Sequence, residues 1–121
     1  MDEPSRWVRG FVVFPPDAPR RPARLRIELR DVTFADGPAP LLAELSTDVP
    51  IGPGARYPFE LHAPAGPARS AQALACHVDL TGDGILRAGD LVSTMAIPVP
   101  PQGTVANLII PVTVVPEPLN T

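Results

Sequence analysis

Lysine is absent from this chain, cysteine occurs once, and no apolar run approaches the width of a bilayer. With Cys76 as the single thiol, an intramolecular disulfide is excluded, and the residue reads as a small core side chain. A membrane-spanning helix needs roughly 18 consecutive apolar residues, and no stretch supplies them. The start, "MDEPSRWVRG", combines no basic opening, no apolar segment and no lipid-attachment cysteine. The expectation is therefore a chain that is cytoplasmic as given, or of the cell envelope if a leader has been removed.

Positive charge is also scarce. Ten basic residues, all arginine, face 13 acidic ones for a net charge of -3, and the isoelectric point is near 5.2. Such a surface offers no attraction to phosphate backbones, which excludes nucleic acid as the expected partner. Arg20, Arg21, Arg24 and Arg26 form one local basic cluster. It reads as a solvated strand edge, with contact to an anionic surface as the alternative.

Long helices are equally unprovided for, because 18 prolines and 9 glycines interrupt the 121 residues every few positions. What remains is short, apolar and rich in turns, the pattern of an all-β domain. One domain is expected over residues 1–121, with an ordered core at about 6–116 and a frayed tail at 117–121.

Period-two alternation is clearest in "RLRIELRDV": Leu25, Ile27 and Leu29 point one way, Arg26, Glu28 and Arg30 the other. Before it, "RWVRGFVVF" is rich in aromatic and β-branched residues. Further strands are expected in "PLLAELST", "RYPFELHA", "AQALACHV", "LVSTMAIPV" and "VANLIIPVTVV", with Pro- and Gly-containing turns between them. The apolar spacing of "PLLAELST" would also fit one helical turn. The sum is about seven strands in a two-sheet β-sandwich, immunoglobulin-like or transthyretin-like. Pro58, Pro98 and Pro111 should fall at edges or bulges, since proline cannot donate to a ladder. Proline-rich edges also predict a monomer.

The stretch "DLTGDGILRAGD", Asp79 to Asp90, carries the most specific chemistry. Counting from Asp79, oxygen-bearing side chains fall at Asp79, Thr81, Asp83 and Asp90, Gly84 stands where a sharp turn is needed, and the Ile85 carbonyl supplies a further oxygen. This is the spacing of an EF-hand loop, in which oxygens converge on Ca2+. Three features depart from it: Asp90 replaces the longer glutamate, Arg87 adds a positive charge, and the flanks read as strands. The alternative is a hairpin with Asp83 and Gly84 at a type I′ tip. That hairpin leaves unexplained why Asp79 and Asp90 are both acidic where a ladder would bring them close.

No enzyme chemistry is recognisable. Cys76 and His77 are neighbours on a strand and face opposite ways, which excludes a thiolate–imidazole pair. His62 and His77 read as surface or rim residues. No "GxSxG" elbow surrounds Ser46, Ser70 or Ser93, and "GPGARY" places a proline where a phosphate would need a donor. Trp7, Phe11, Phe14, Phe34 and Phe59 read as packing residues, Trp7 partly exposed.

The segments "LRIELRDVTFADGPA", "YPFEL", "AQALACHVDL" and "MAIPVPPQGTVANLIIPV" occur in an order that resembles the YbaY/YscW family of small bacterial lipoproteins and type III secretion pilotins. The resemblance implies a compact β-sandwich without catalysis, whose pilotin members help place an outer-membrane secretin by binding another protein. Two features differ from the family: there is no lipobox cysteine, and the acidic loop is longer. The expected function is an accessory module that binds an unidentified protein, with a calcium-binding β-domain as the alternative.

Overall fold

The computed structural model describes residues 5–34 and 37–117. All but the first residue of the tail expected to fray at 117–121, and Ala35 and Asp36 of the family-like segment, lie outside them. Among the described residues there are nine strands and no helix: β1 (Ser5–Val13), β2 (Arg21–Asp31), β3 (Leu41–Ile51), β4 (Arg56–Pro64), β5 (Gln72–Asp79), β6 (Leu91–Val92), β7 (Ile97–Val99), β8 (Val105–Pro111) and β9 (Thr113–Val114).

The strands form a sheet of three, β4-β1-β8, and a sheet of six, β3-β2-β5-β6-β9 with β7 paired to β5. Both sheets turn one face inward. Val8 and Val12 of β1, Phe59 and Leu61 of β4 and Ile110 of β8 meet Leu25, Ile27 and Leu29 of β2 and Leu74, Cys76 and Val78 of β5 in one core. Each fully buried Leu, Ile or Val is worth about 1.5–3 kcal/mol relative to leaving it in water. The all-β sandwich is the architecture that the alternation of β2 announced.

The strand count differs from the expected seven. "LVSTMAIPV" divides because Ser93 grips Cys76: its N–H donates to the Cys76 carbonyl at 3.0 Å, and its Oγ accepts the Cys76 N–H at 2.9 Å. β7 starts only at Ile97. "VANLIIPVTVV" divides at Val112, whose N–H donates to Val13 in the three-stranded sheet before β9 crosses to pair with β6. β3 runs on through the expected turn, because Ala23 and Pro22 continue to pair with Val49 and Pro50. The helical turn weighed for "PLLAELST" is not formed.

The prolines fall as expected. Pro58 lies on β4 and Pro98 on β7, each paired on one side only, and Pro111 ends β8. Phe34 is a correction: it is 81% exposed in the β2–β3 connection. Asp31 accepts the Thr33 N–H at 2.9 Å there, which ends the strand and its alternation.

One inward position is charged. Arg6 is 3% exposed and donates to the carbonyls of Pro100 and Gly103 and to Gln72 Oε1. Among the described residues it has no carboxylate partner, and its Nε has no acceptor. Burial lowers its pKa from the ordinary arginine value. Its place in the ladder, two residues before Val8, forces the side chain inward, where carbonyl oxygens tie the Pro100–Gly103 turn to β1.

Candidate functional site

Strand β5 carries His77 and Asp79 to the rim of the six-stranded sheet. Its partner β6 pairs Val92 with His77 and Leu91 with Val78. Continuing that ladder by one step brings Asp90 beside Asp79. Ligand atoms of His77, Asp79 and Asp90 all lie within 4.8 Å of one another.

The segment between the strands is not a two-residue hairpin. A type I′ tip needs positive φ at both central residues, whereas the only positive-φ residue without glycine's freedom, among those described, is Asn107. Gly82, Gly84 and Gly89 take the left-handed conformation instead, at φ of 77°, 81° and 93°. They let the chain coil around Asp79. Its Oδ1 accepts from the Thr81 and Gly82 N–H groups at 3.2 and 3.0 Å and its Oδ2 from the Gly84 N–H at 2.6 Å. Burial pushes this carboxyl up, but the bonds from Gly84, Gly82 and Thr81 outweigh it and hold the pKa below the ordinary value.

Asp90 is 1% exposed. Its Oδ1 accepts the Leu80 N–H at 3.1 Å, while its Oδ2 meets the Arg87 N–H at 3.1 Å and His77 Nε2 at 2.8 Å. The repulsion expected between Asp79 and Asp90 is thus offset by amide donors. His77 is half-buried against Asp90 and is not the plain rim residue expected.

The other residues singled out in the loop sit further out. Thr81 Oγ1 lies 3.1 Å from Asp79 and 2.9 Å from Asp83. Asp83 is exposed and paired with Arg87. The hydrogen bond from Arg87, then those from the Ile85 N–H and the Thr81 hydroxyl, bring its pKa down to about 2. Ile85 donates its N–H to Asp83 at 3.0 Å and exposes its side chain. An open cleft of about 270 Å3 beside the loop is lined by His77, Asp79, Asp83, Gly84 and, from the neighbouring strands, Arg26 and Ser46.

His62 belongs to the other sheet. It stacks against Trp7 at 4.8 Å between ring centroids and never meets His77. Around it the outer face of β4-β1-β8 is aromatic and cationic. The Arg9 guanidinium lies 5.3 Å from the Trp7 ring and that of Arg56 4.9 Å from the Phe11 ring. Ile109, level with Phe11 across the β1–β8 pair, is 43% exposed. Arg9 also pairs with Glu60 at 3.2 Å; among the described residues Arg56 makes no ion pair. The period of β1 could have revealed this face, since Trp7, Arg9 and Phe11 alternate with Val8 and Val12.

No family model matches the chain, and no curated protein matches it. Among solved structures it is similar to an alternative pilotin from the type II secretion system of Vibrio cholerae. The TM-score is 0.69 at 20% identity, over 91% of this chain and 98% of that one. The two share a fold along nearly their whole lengths. Among the described residues, no helix is long and apolar enough to cross a membrane.

Proposed function

We propose that this protein is a noncatalytic accessory module of the YbaY/YscW type that acts by binding another protein, within the cell envelope. The observation that carries the reading is the near end-to-end likeness of fold to a secretion pilotin. The outer face of β4-β1-β8 supplies the means. Tryptophan, other aromatics and arginine dominate the energetics of interfaces, because they bury large area at low entropic cost. Trp7, Phe11, Arg9, Arg56 and Ile109 gather them on one sheet face. A photo-crosslinking residue placed at Ile109 in cells should give adducts of one defined mass, and the same residue at Ser46, on the opposite face, should give none. The adducts should disappear with Trp7→Ala and Phe11→Ala combined. Equal labelling from both faces would defeat the proposal.

A second reading concerns the acidic loop, as a site for a divalent cation such as Ca2+ held by Asp79, Thr81, Asp83, Ile85 and Asp90. What favours it is two buried carboxylates close together, Asp79 having only neutral donors bonded to it. A cation preferring the native state raises the melting temperature by mass action. Millimolar Ca2+, at the weak end of loop affinities, should therefore raise it, and Asp83→Ala should cancel the rise.

A further inference from the structure

We propose that His77, Asp79 and Asp90 form the ligand set of a four-coordinate transition-metal site, of the kind that takes Zn2+, with the open cleft providing the fourth position. The inference rests on the reading that the acidic loop holds a cation, and it names the class of ion.

The donor atoms decide the class of ion. Ca2+ seeks six to eight oxygens in a flexible shell, whereas Zn2+ is satisfied by four ligands and accepts imidazole nitrogen with carboxylate oxygen. The loop spacing that suggests calcium contains no histidine. The fold adds one, because His77 stands two residues before Asp79 on β5 and its Nε2 already lies 2.8 Å from Asp90 Oδ2. Three ligands from the ends of two paired strands, within 4.8 Å of one another, match a site that keeps one position for water.

The carboxylates have lone pairs to give. Each oxygen offers two; Asp79 Oδ2 uses one on the Gly84 N–H, and Asp90 Oδ2 uses one on the Arg87 N–H and turns the other to His77 Nε2. The amide bonds act as an outer shell that fixes both carboxylates in place before an ion arrives, the usual means by which protein groups orient ligands. Binding would replace the His77–Asp90 hydrogen bond by two bonds to metal, and an Nε2 proton, where present, would pass to solvent. His77 and Asp79 line the cleft of about 270 Å3, together with Ser46, Gly84 and the side chains of Arg24 and Arg26, while Asp90 closes the set from the buried side. Asp83 is drawn away to Arg87 and is not needed.

The test uses the full chain, stripped of metal, and Zn2+ and Co2+ alone as probes. Calorimetry should show one Zn2+ per chain, and Co2+ should develop the visible absorption of a tetrahedral centre. His77→Gln should weaken Zn2+ at least about tenfold, while His62→Gln and Asp83→Ala leave it unchanged. In the unaltered protein, Zn2+ should move the imidazole NMR signals of His77 and not those of His62, a readout that needs no variant to fold. Zn2+ affinity equal in His77→Gln would overturn the assignment. Ca2+ binding without Zn2+ binding would overturn it and leave the calcium reading standing, and binding of neither ion would remove both.

Discussion

On the six-stranded sheet the outward side chains of β2 and β3 neutralise one another: Arg24 meets Asp48 at 3.1 Å, and Arg26 meets Glu44 at 3.4 Å and Glu28 at 3.1 Å. On the three-stranded sheet the outward guanidiniums of Arg9 and Arg56 lie over the rings of Trp7 and Phe11. Both faces come from the same alternation of a strand with one side buried. The difference lies in what stands across the ladder. Opposed charges close a face upon itself, as Glu60 does for Arg9, whereas Arg56, over the Phe11 ring and without an ion pair among the described residues, leaves apolar area and charge for another molecule. Within the basic cluster Arg24 and Arg26 are thereby paired with carboxylates, and the surface proposed for a partner lies on the opposite side of the sandwich.

The contrast depends on β8 lying close against β1, and Gly10 makes that possible. A Cβ at Gly10 would overlap the Leu108 carbonyl, where the β1–β8 register shifts and Asn107 takes a φ of 64°. Gly10→Ala should therefore cost about 3 kcal/mol in urea unfolding, the upper range for overpacking a tight contact, and abolish the crosslink from Ile109. An unchanged midpoint would show that β8 is free to move aside, and the face proposed to bind a partner would lose its rigid third strand.

The six-stranded sheet breaks at its loop end. Asp90→Asn removes a buried charge that accepts from Leu80, Arg87 and His77. A loss of about 2 kcal/mol is expected, as for charged hydrogen bonds. Acid should act in the same place. Asp79 is held below its ordinary pKa, so its contribution to stability is present above the unfolded value, about 4, and is lost as pH falls through the folded one. Stability measured from about pH 5 to about pH 2 should fall more steeply in the unaltered protein than in Asp79→Asn. Parallel curves would mean that the loop bonds persist in the unfolded chain.

Much of this was legible in advance. Leu25, Ile27 and Leu29 fixed the inward face of β2, Pro58 and Pro98 marked edges, and Asp79 and Asp90 stood out as a pair. What escaped reading depends on partners far along the chain. Arg6 is acceptable inside only because Pro100, Gly103 and Gln72 bring oxygens to it. Phe34 reads as a packing residue, yet the Asp31–Thr33 turn places it outside. His77 is an ordinary strand residue until β6 delivers Asp90, and that register is invisible in composition. The break at Ser93 likewise follows from its bonds to Cys76, whereas the break at Val112 has a local mark in Pro111, which has no N–H to donate.

Between the two faces lies Cys76, and it reports whether both stay closed. Burial raises its pKa to about 12, so almost no thiolate exists at neutral pH. Alkylation of the native protein should be slower than in denaturant by orders of magnitude, since only opened molecules react. Comparable rates would show that the sheets separate readily, and a sandwich so loose could not hold one face rigid for binding.

The smallest effect is expected from Arg24→Ala on the six-stranded face. Its partner Asp48 is exposed, and so is the guanidinium, so solvent and salt screen the pair, and ordering two long side chains offsets most of the Coulombic gain. The melting midpoint should not move beyond measurement error, at low or high salt. A clear drop that salt suppresses would mean that the ladder of Arg24, Asp48, Arg26, Glu44 and Glu28 works as a network instead of as separate pairs. The two faces would then differ in how much each stabilises the fold, and not only in which one is left available to a partner.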